Sequence, residues 1–252
     1  MKKAKVALVF VSCFVIAGGI VSYQLLSSKN SISSNSRVVS ELADVNAKEN
    51  AIENEDDKNT QKQELTFDKQ VVTNADFANI FNDFGSLKKA STIVVEGSVA
   101  DTSVFLHKVN EDVVPYTIYR IKISKVFSGD VSIDDIINVA EYGGIITAEE
   151  AGLDVKFPEM SKEEKEQKIY FSFGNSLSVT GDELLIFGSN EEGSQILDFD
   201  EPYYMLVNEY QGKFDFNAKN NSYSRNIPDS EINVSKLEIN ADDLKNTFSN
   251  MK

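Results

Sequence analysis

The chain has no tryptophan, one cysteine, one histidine and four prolines in 252 residues, and each shortage closes a route. With Cys13 as the lone thiol, no intramolecular disulfide can form, although small secreted domains often depend on them. A zinc site takes several Cys or His ligands, and His107 alone does not supply them. The missing tryptophan weighs against a carbohydrate-binding surface, where broad aromatic platforms are common. No G-x-S-x-G elbow is present, and Gly143-Gly144 is followed by Ile-Ile-Thr rather than by the Lys-Ser or Lys-Thr of a phosphate loop. Positive charge is scarce as well: 25 Lys and Arg stand against 40 Asp and Glu, a net of −15. Such a surface repels nucleic acid and anionic headgroups.

What is present begins at the N-terminus. Lys2, Lys3 and Lys5 precede 23 uncharged positions, Val6 to Ser28. At about 1.5 Å per residue a helix of that length crosses the ~30 Å hydrocarbon layer, and the leading lysines predict a cytoplasmic N-terminus with the remainder outside the cell. A cleaved signal peptide is the alternative, with Val6 to Ile16 as its apolar region and the small residues Ala17 and Gly19 near the cut. Lipid attachment at Cys13 fits poorly, because Phe10, Val11 and Ser12 do not make its motif. Either way the part beyond residue 28 is exported, and with 22 Lys and Arg against 40 Asp and Glu it carries −18.

Residues 29–66, rich in Ser, Asn, Glu and Lys, read as a polar stalk too poor in apolar side chains to fold, and 67–252 as one extracellular domain. The C-terminal FSNMK is no wall-sorting tail, so attachment is expected through residues 6–28. Phe77, Ile80, Phe81, Phe84 and Leu87 recur at helical spacing, with Thr73 and Asp76 resembling a capping box. From Thr92 the pattern turns β. TIVVEGSVA (92–100) and YTIYRIKISKVF (116–127) alternate, the latter with Tyr119, Ile121 and Ile123 opposite Arg120, Lys122 and Ser124. IINVAEY (136–142) gives a third strand. A polar stretch, 145–180, holds one short helix at SKEEKEQ (161–167), capped by Ser161 and Glu164. ELLIFGS reads as a strand covered on both faces, YYMLVNEY and KFDFN as a hairpin hinged near Gln211 and Gly212, and NADDLKNTF (240–248) as a closing helix.

The succession STIVVEGSVADTSVF, YTIYRIKISKVFSGD, a strand ending in paired glycines, GDELLIFGS and EYQGKF resembles exported Gram-positive proteins of mostly unassigned function. Their domain is similar to the netrin-like or metalloproteinase-inhibitor-like form of the OB-fold. The resemblance covers residues 91 to about 216 and implies an OB-like antiparallel β-barrel. It does not bring the inhibitory mechanism, which uses an N-terminal cysteine on the protease zinc: Cys13 lies in the apolar segment. The expected class is therefore mainly β with a few short helices (α+β), an OB-like β-barrel after a transmembrane helix and a stalk.

Few residues invite chemistry. DVSIDDIINVAE places Asp130, Ser132, Asp134 and Glu141 at positions 1, 3, 5 and 12 of a calcium loop, but Asp135 stands where that loop takes glycine. His107 lacks a partnered nucleophile. No catalytic, cofactor-binding or metal residue is assigned and no cofactor is expected. The sequence reads as a membrane-tethered extracellular domain without enzymatic activity that binds another protein or a peptide. Two alternatives remain: a carboxylate hydrolase of wall polymer or peptide drawing on Asp130, Asp134, Glu141, Asp198 and Asp200, and an accessory subunit of a membrane complex.

Overall fold

The computed structural model describes residues 14–16, 19–26, 65–75, 79–228, 231 and 233–251. Among these the protein is mainly β with four α-helices. Strands β1 (Phe14–Ile16), β2 (Gly19–Leu26), β3 (Lys69–Ala75), β8 (Lys168–Ser172) and β7 (Gly144–Thr147) hydrogen-bond in the order β1-β2-β3-β8-β7. A second sheet runs β10-β6-β5-β4-β9-β11-β12-β13. Its strands are β4 (Ile93–Val109), β5 (Asp112–Ser128), β6 (Ile136–Tyr142), β9 (Glu183–Ser189), β10 (Tyr203–Leu206), β11 (Lys213–Asn217), β12 (Ser222–Arg225) and β13 (Glu238–Asn240). Because β10 pairs with β6 in parallel and with β9 antiparallel, the pairing returns on itself, and β4, β5, β6, β10 and β9 form a ring.

The long β4–β5 hairpin follows from alternation: Tyr119, Ile121 and Ile123 are buried while Arg120, Lys122 and Ser124 face water. Inside the ring these side chains meet Ile93, Val95, Val139, Leu184 and Ile186. The opposite face of β4, β9 and β11 is covered by α1 (Phe84–Ala90) and α4 (Leu244–Asn250), whose Leu87, Leu244 and Phe248 pack on Val94, Leu185, Phe187 and Phe214. The predicted closing helix is thus present. So is the short polar one: α2 (Leu153–Lys156) is followed by α3 (Lys162–Lys165), where Ser161 and Glu164 cap each other reciprocally.

Several expectations are corrected. Thr73 caps nothing; it lies in β3, buried, 2.6 Å from the hydroxyl of Tyr142. The β-branched Val71-Val72-Thr73 run pairs along β2, its two valines along β8 as well, and the helix starts only at Phe84, with Asp83 as its N-cap. The stretch 145–180 holds strands β7 and β8 as well as helices. β10 and β11 are not a hairpin: a short 3-10 turn, Glu209–Gly212, carries the chain across β9, which separates them.

Of the segment expected to cross a membrane as a helix, the described residues are extended, and β2 lies antiparallel to β3. No helix among the described residues is long and apolar enough to cross a membrane. The rest of residues 1–28 and nearly all of the expected stalk lie outside the described residues.

Candidate functional site

Two places combine unusual chemistry with position. The first is a buried polar cluster on the ring. Glu141 sits in β6, a strand otherwise apolar at this end, and is 1 % exposed. Its Oε2 accepts the Lys213 Nζ proton at 2.6 Å and the Tyr119 hydroxyl at 2.5 Å, while Oε1 accepts Asn175 Nδ2 at 2.7 Å. Lys213, at the start of β11, also donates to the Ser176 carbonyl at 3.0 Å and stands 5.4 Å from the centre of the Tyr119 ring. Tyr170 donates to the Asn175 carbonyl at 2.5 Å, and the Ser178 N–H donates to Tyr119 Oη at 3.2 Å. One buried ion pair therefore clamps the loop between β8 and β9 onto β5, β6 and β11. Burial, then the charge of Glu141, holds the Tyr119 hydroxyl well above its ordinary pKa, so it stays a donor.

Glu209 borders this cluster. It follows Asn208, and both take left-handed backbone, φ 55° and 51°. That conformation turns the Glu209 carboxyl inward, where Oε2 accepts the Tyr142 N–H at 3.0 Å. Desolvation pushes its pKa up to about 7; the Tyr142 hydrogen bond opposes the shift and the charge of Glu141 adds to it. Beside the cluster, Phe67, Tyr170, Leu177, Asn175, Ser176 and Asn226 line a cavity of about 150 Å³. The space suits a molecule no larger than a benzene ring. Glu141, Lys213 and Tyr119 are spent on one another, so the cluster offers no free nucleophile or base and acts as a clamp.

The second place is the outer half of β4. This strand pairs with β5 along its length, from Val94 to Val109, but β9 covers only Ile93–Ser98 on its other side. Two more bonds, Val99 N–H to Asp182 and Gly181 N–H to Val99, end that coverage. The turn at Asn110 and Glu111 closes on the pair Val109 and Asp112. Alternation from that hydrogen-bonded pair points the backbone of Lys108, Leu106, Val104 and Thr102 away from β5. No strand among the described residues pairs with this edge. Val104 is 39 % exposed there.

The residues singled out in the sequence fall apart. Asp130 and Asp200 are exposed, Asp134 is an exposed partner of Lys122 at 3.2 Å, and Asp198 is an exposed partner of His107 at 3.0 Å. The bond from His107 holds the Asp198 carboxyl below its ordinary pKa. Glu141 alone is buried. The calcium-loop pattern does not close: Asp135 Oδ2 instead accepts the Ser132 N–H at 2.8 Å, and Glu141 lies five strand residues beyond Ile136, at about 3.3 Å each. No cluster of metal-binding type occurs among the described residues. Lys213, Asn175 and Glu209 were missed. Lys213 carried no legible signal, since its strand Lys-Phe-Asp-Phe-Asn holds a second charge; only Glu141 stood out, as a charge at the apolar end of β6.

Comparison with family models, curated proteins and solved structures finds no match, so geometry alone carries the functional reading.

Proposed function

We propose that the chain is a membrane-tethered extracellular binding domain without enzymatic activity, whose contact strip is the open edge of β4 between residues 101 and 108. That edge is the observation that carries the reading. Beyond Thr102, whose N–H is taken by Asp101 Oδ1 at 2.9 Å, a row of N–H and C=O groups without a strand partner accepts an extended segment by strand addition, main-chain bonds supplying affinity and alternate side chains specificity. The occupant is an extended, basic segment of another extracellular protein. Its charge complements an exported part of −18, with Asp101 on the strip itself and Asp198 held against it by His107. In this reading residues 6–28 tether the domain, and on entering a bilayer they exchange the strand pairing of β1 and β2 for a helix, in which a backbone satisfies its own hydrogen bonds.

The ring supports reading the domain as an OB-like barrel. In chain order its strands neighbour one another as first, second, third, fifth, fourth and back to first, with third and fifth parallel. Non-sequential neighbours of this kind belong to five-stranded Greek-key barrels. The hydrolase alternative needs two of Asp130, Asp134, Glu141, Asp198 and Asp200 in one cleft, and it gains no support from a buried Glu141 with the other four exposed. An accessory subunit of a membrane complex would use the same edge and differ only in its partner.

Capture from native membranes tests the proposal, using the full chain and its Val104→Lys variant. A charge on the exposed edge blocks strand addition and repels a basic segment. The native chain is expected to recover a specific protein and the folded variant at least about tenfold less, the loss of roughly 1.4 kcal/mol. Equal recovery by both would sink the edge assignment, and no specific partner at all would sink the binding reading.

A further inference from the structure

Arg225, on β12, is 3 % exposed and has no carboxylate partner among the described residues. Its Nη1 donates to the Phe81 carbonyl at 2.7 Å and to that of Ser235 at 3.3 Å, and the guanidinium lies 5.2 Å from the centre of the Phe214 ring. Nε and Nη2 are enclosed and lack an acceptor. Gln211, fully buried in the 3-10 turn, holds the same residue: its Oε1 accepts the Phe81 N–H at 3.0 Å. That bond leaves Gln211 Nε2 enclosed without an acceptor as well. Two side chains anchored on Phe81 thus each leave donors enclosed without an acceptor, and the one ionisable group whose charge acts on the guanidinium is the Tyr210 hydroxyl, not a carboxylate.

Guanidinium and amide nitrogens carry hydrogens and accept nothing. A water molecule among them accepts from two and brings two hydrogens that need acceptors of their own. An anion accepts from such donors without bringing hydrogens of its own and cancels the charge, and a buried cation without compensation is among the costliest features a fold can carry. Desolvation lowers the Arg225 pKa to about 10, which still leaves it charged at neutral pH. Hydrogen-bond balance and charge balance therefore ask for the same occupant.

We propose that Arg225 and Gln211 form a buried seat for a small inorganic anion of chloride size. The anion would fasten the strap before α1 to the sheet. The strap is already held by Asn208 Nδ2 on the Asn79 carbonyl and by the Ser235 N–H on Asn82 Oδ1, the latter at 2.7 Å. This site is separate from the β4 edge and independent of what binds there.

The test melts the full-length chain in detergent at fixed pH and ionic strength, with chloride, bromide or gluconate as the only anion. Binding to the folded state alone raises Tm, and a saturable rise of about 2–4 °C in chloride or bromide over gluconate is expected. Arg225→Gln should remove that difference. Crystals of the unsubstituted chain soaked in bromide should give an anomalous peak within hydrogen-bond reach of Arg225 Nε. A map with water there, or with any carboxylate of the chain itself, overturns the proposal whichever way the melting temperatures fall. The map also decides the matter should Arg225→Gln fail to fold.

Discussion

Glu209 and Lys213 answer to the same physics with opposite signs. The folded pKa of Glu209 is about 7 against an ordinary 4.5, so the folded chain binds the extra proton between those values. Its contribution is thus intact below pH 4.5, declines as pH rises toward 7 and stays lost above, by about 3 kcal/mol in all. Glu209→Gln keeps an acceptor for the Tyr142 N–H but no charge. Urea unfolding should find the variant gaining on the native chain as pH rises from 4.5 to 8, with no further gain beyond; a gap independent of pH would contradict the assignment. Lys213→Met strands the Glu141 carboxylate in a dry site and should cost about 3–5 kcal/mol. Adding Glu141→Gln removes the stranded charge, so the double variant should be more stable than the single one in a denaturant-based double-mutant cycle. Sequence could mark Glu141 as a charge at the apolar end of β6, while Lys213 opens a strand that already holds Asp215. It could not pair them, because 72 positions separate them and only the ring brings β6 beside the start of β11.

Gly143 shows how elements are joined. It stands between β6, in one sheet, and β7, in the other, at φ 107°, and a Cβ there would meet the carbonyl oxygen of Phe171. Ala at this position must both enter a backbone region closed to it and displace β8, so Gly143→Ala should lower stability by about 2 kcal/mol or more and reduce Tm accordingly. A loss within 0.5 kcal/mol would show the sheets joined more loosely than this contact requires. The glycine pair was legible as the end of a strand, as were β5, β6, β9, α3 and α4, whose alternation, continuous apolar run or capping residues act locally. β3, β7 and β8 were not. Each is short, and each is fixed as a strand by its neighbours: β3 by parallel pairing with β8, and β7 by antiparallel pairing with the same strand. The separation of β10 from β11 was invisible for the same reason, since only the placement of β9 between them rules out a hairpin.

At the scale of the whole molecule, charge and edge act together. Residues 29–252 carry a net −18, and the β4 edge offers main-chain bonds to any extended chain, bonds that do not discriminate by themselves. Discrimination falls to the field: it draws basic segments in and turns acidic ones away, acting on encounter more than on the docked state. A protein captured through the β4 edge should therefore associate more slowly as salt rises. Its on-rate should fall about tenfold or more between roughly 20 and 300 mM salt, as the screening length shrinks below the distance over which the acidic surface steers. The off-rate, set by main-chain bonds and by contacts with Val104 and Leu106, should change far less. Surface plasmon resonance over that range separates the two rates. An off-rate carrying most of the salt dependence would mean that docked ion pairs, not the backbone edge, hold the partner.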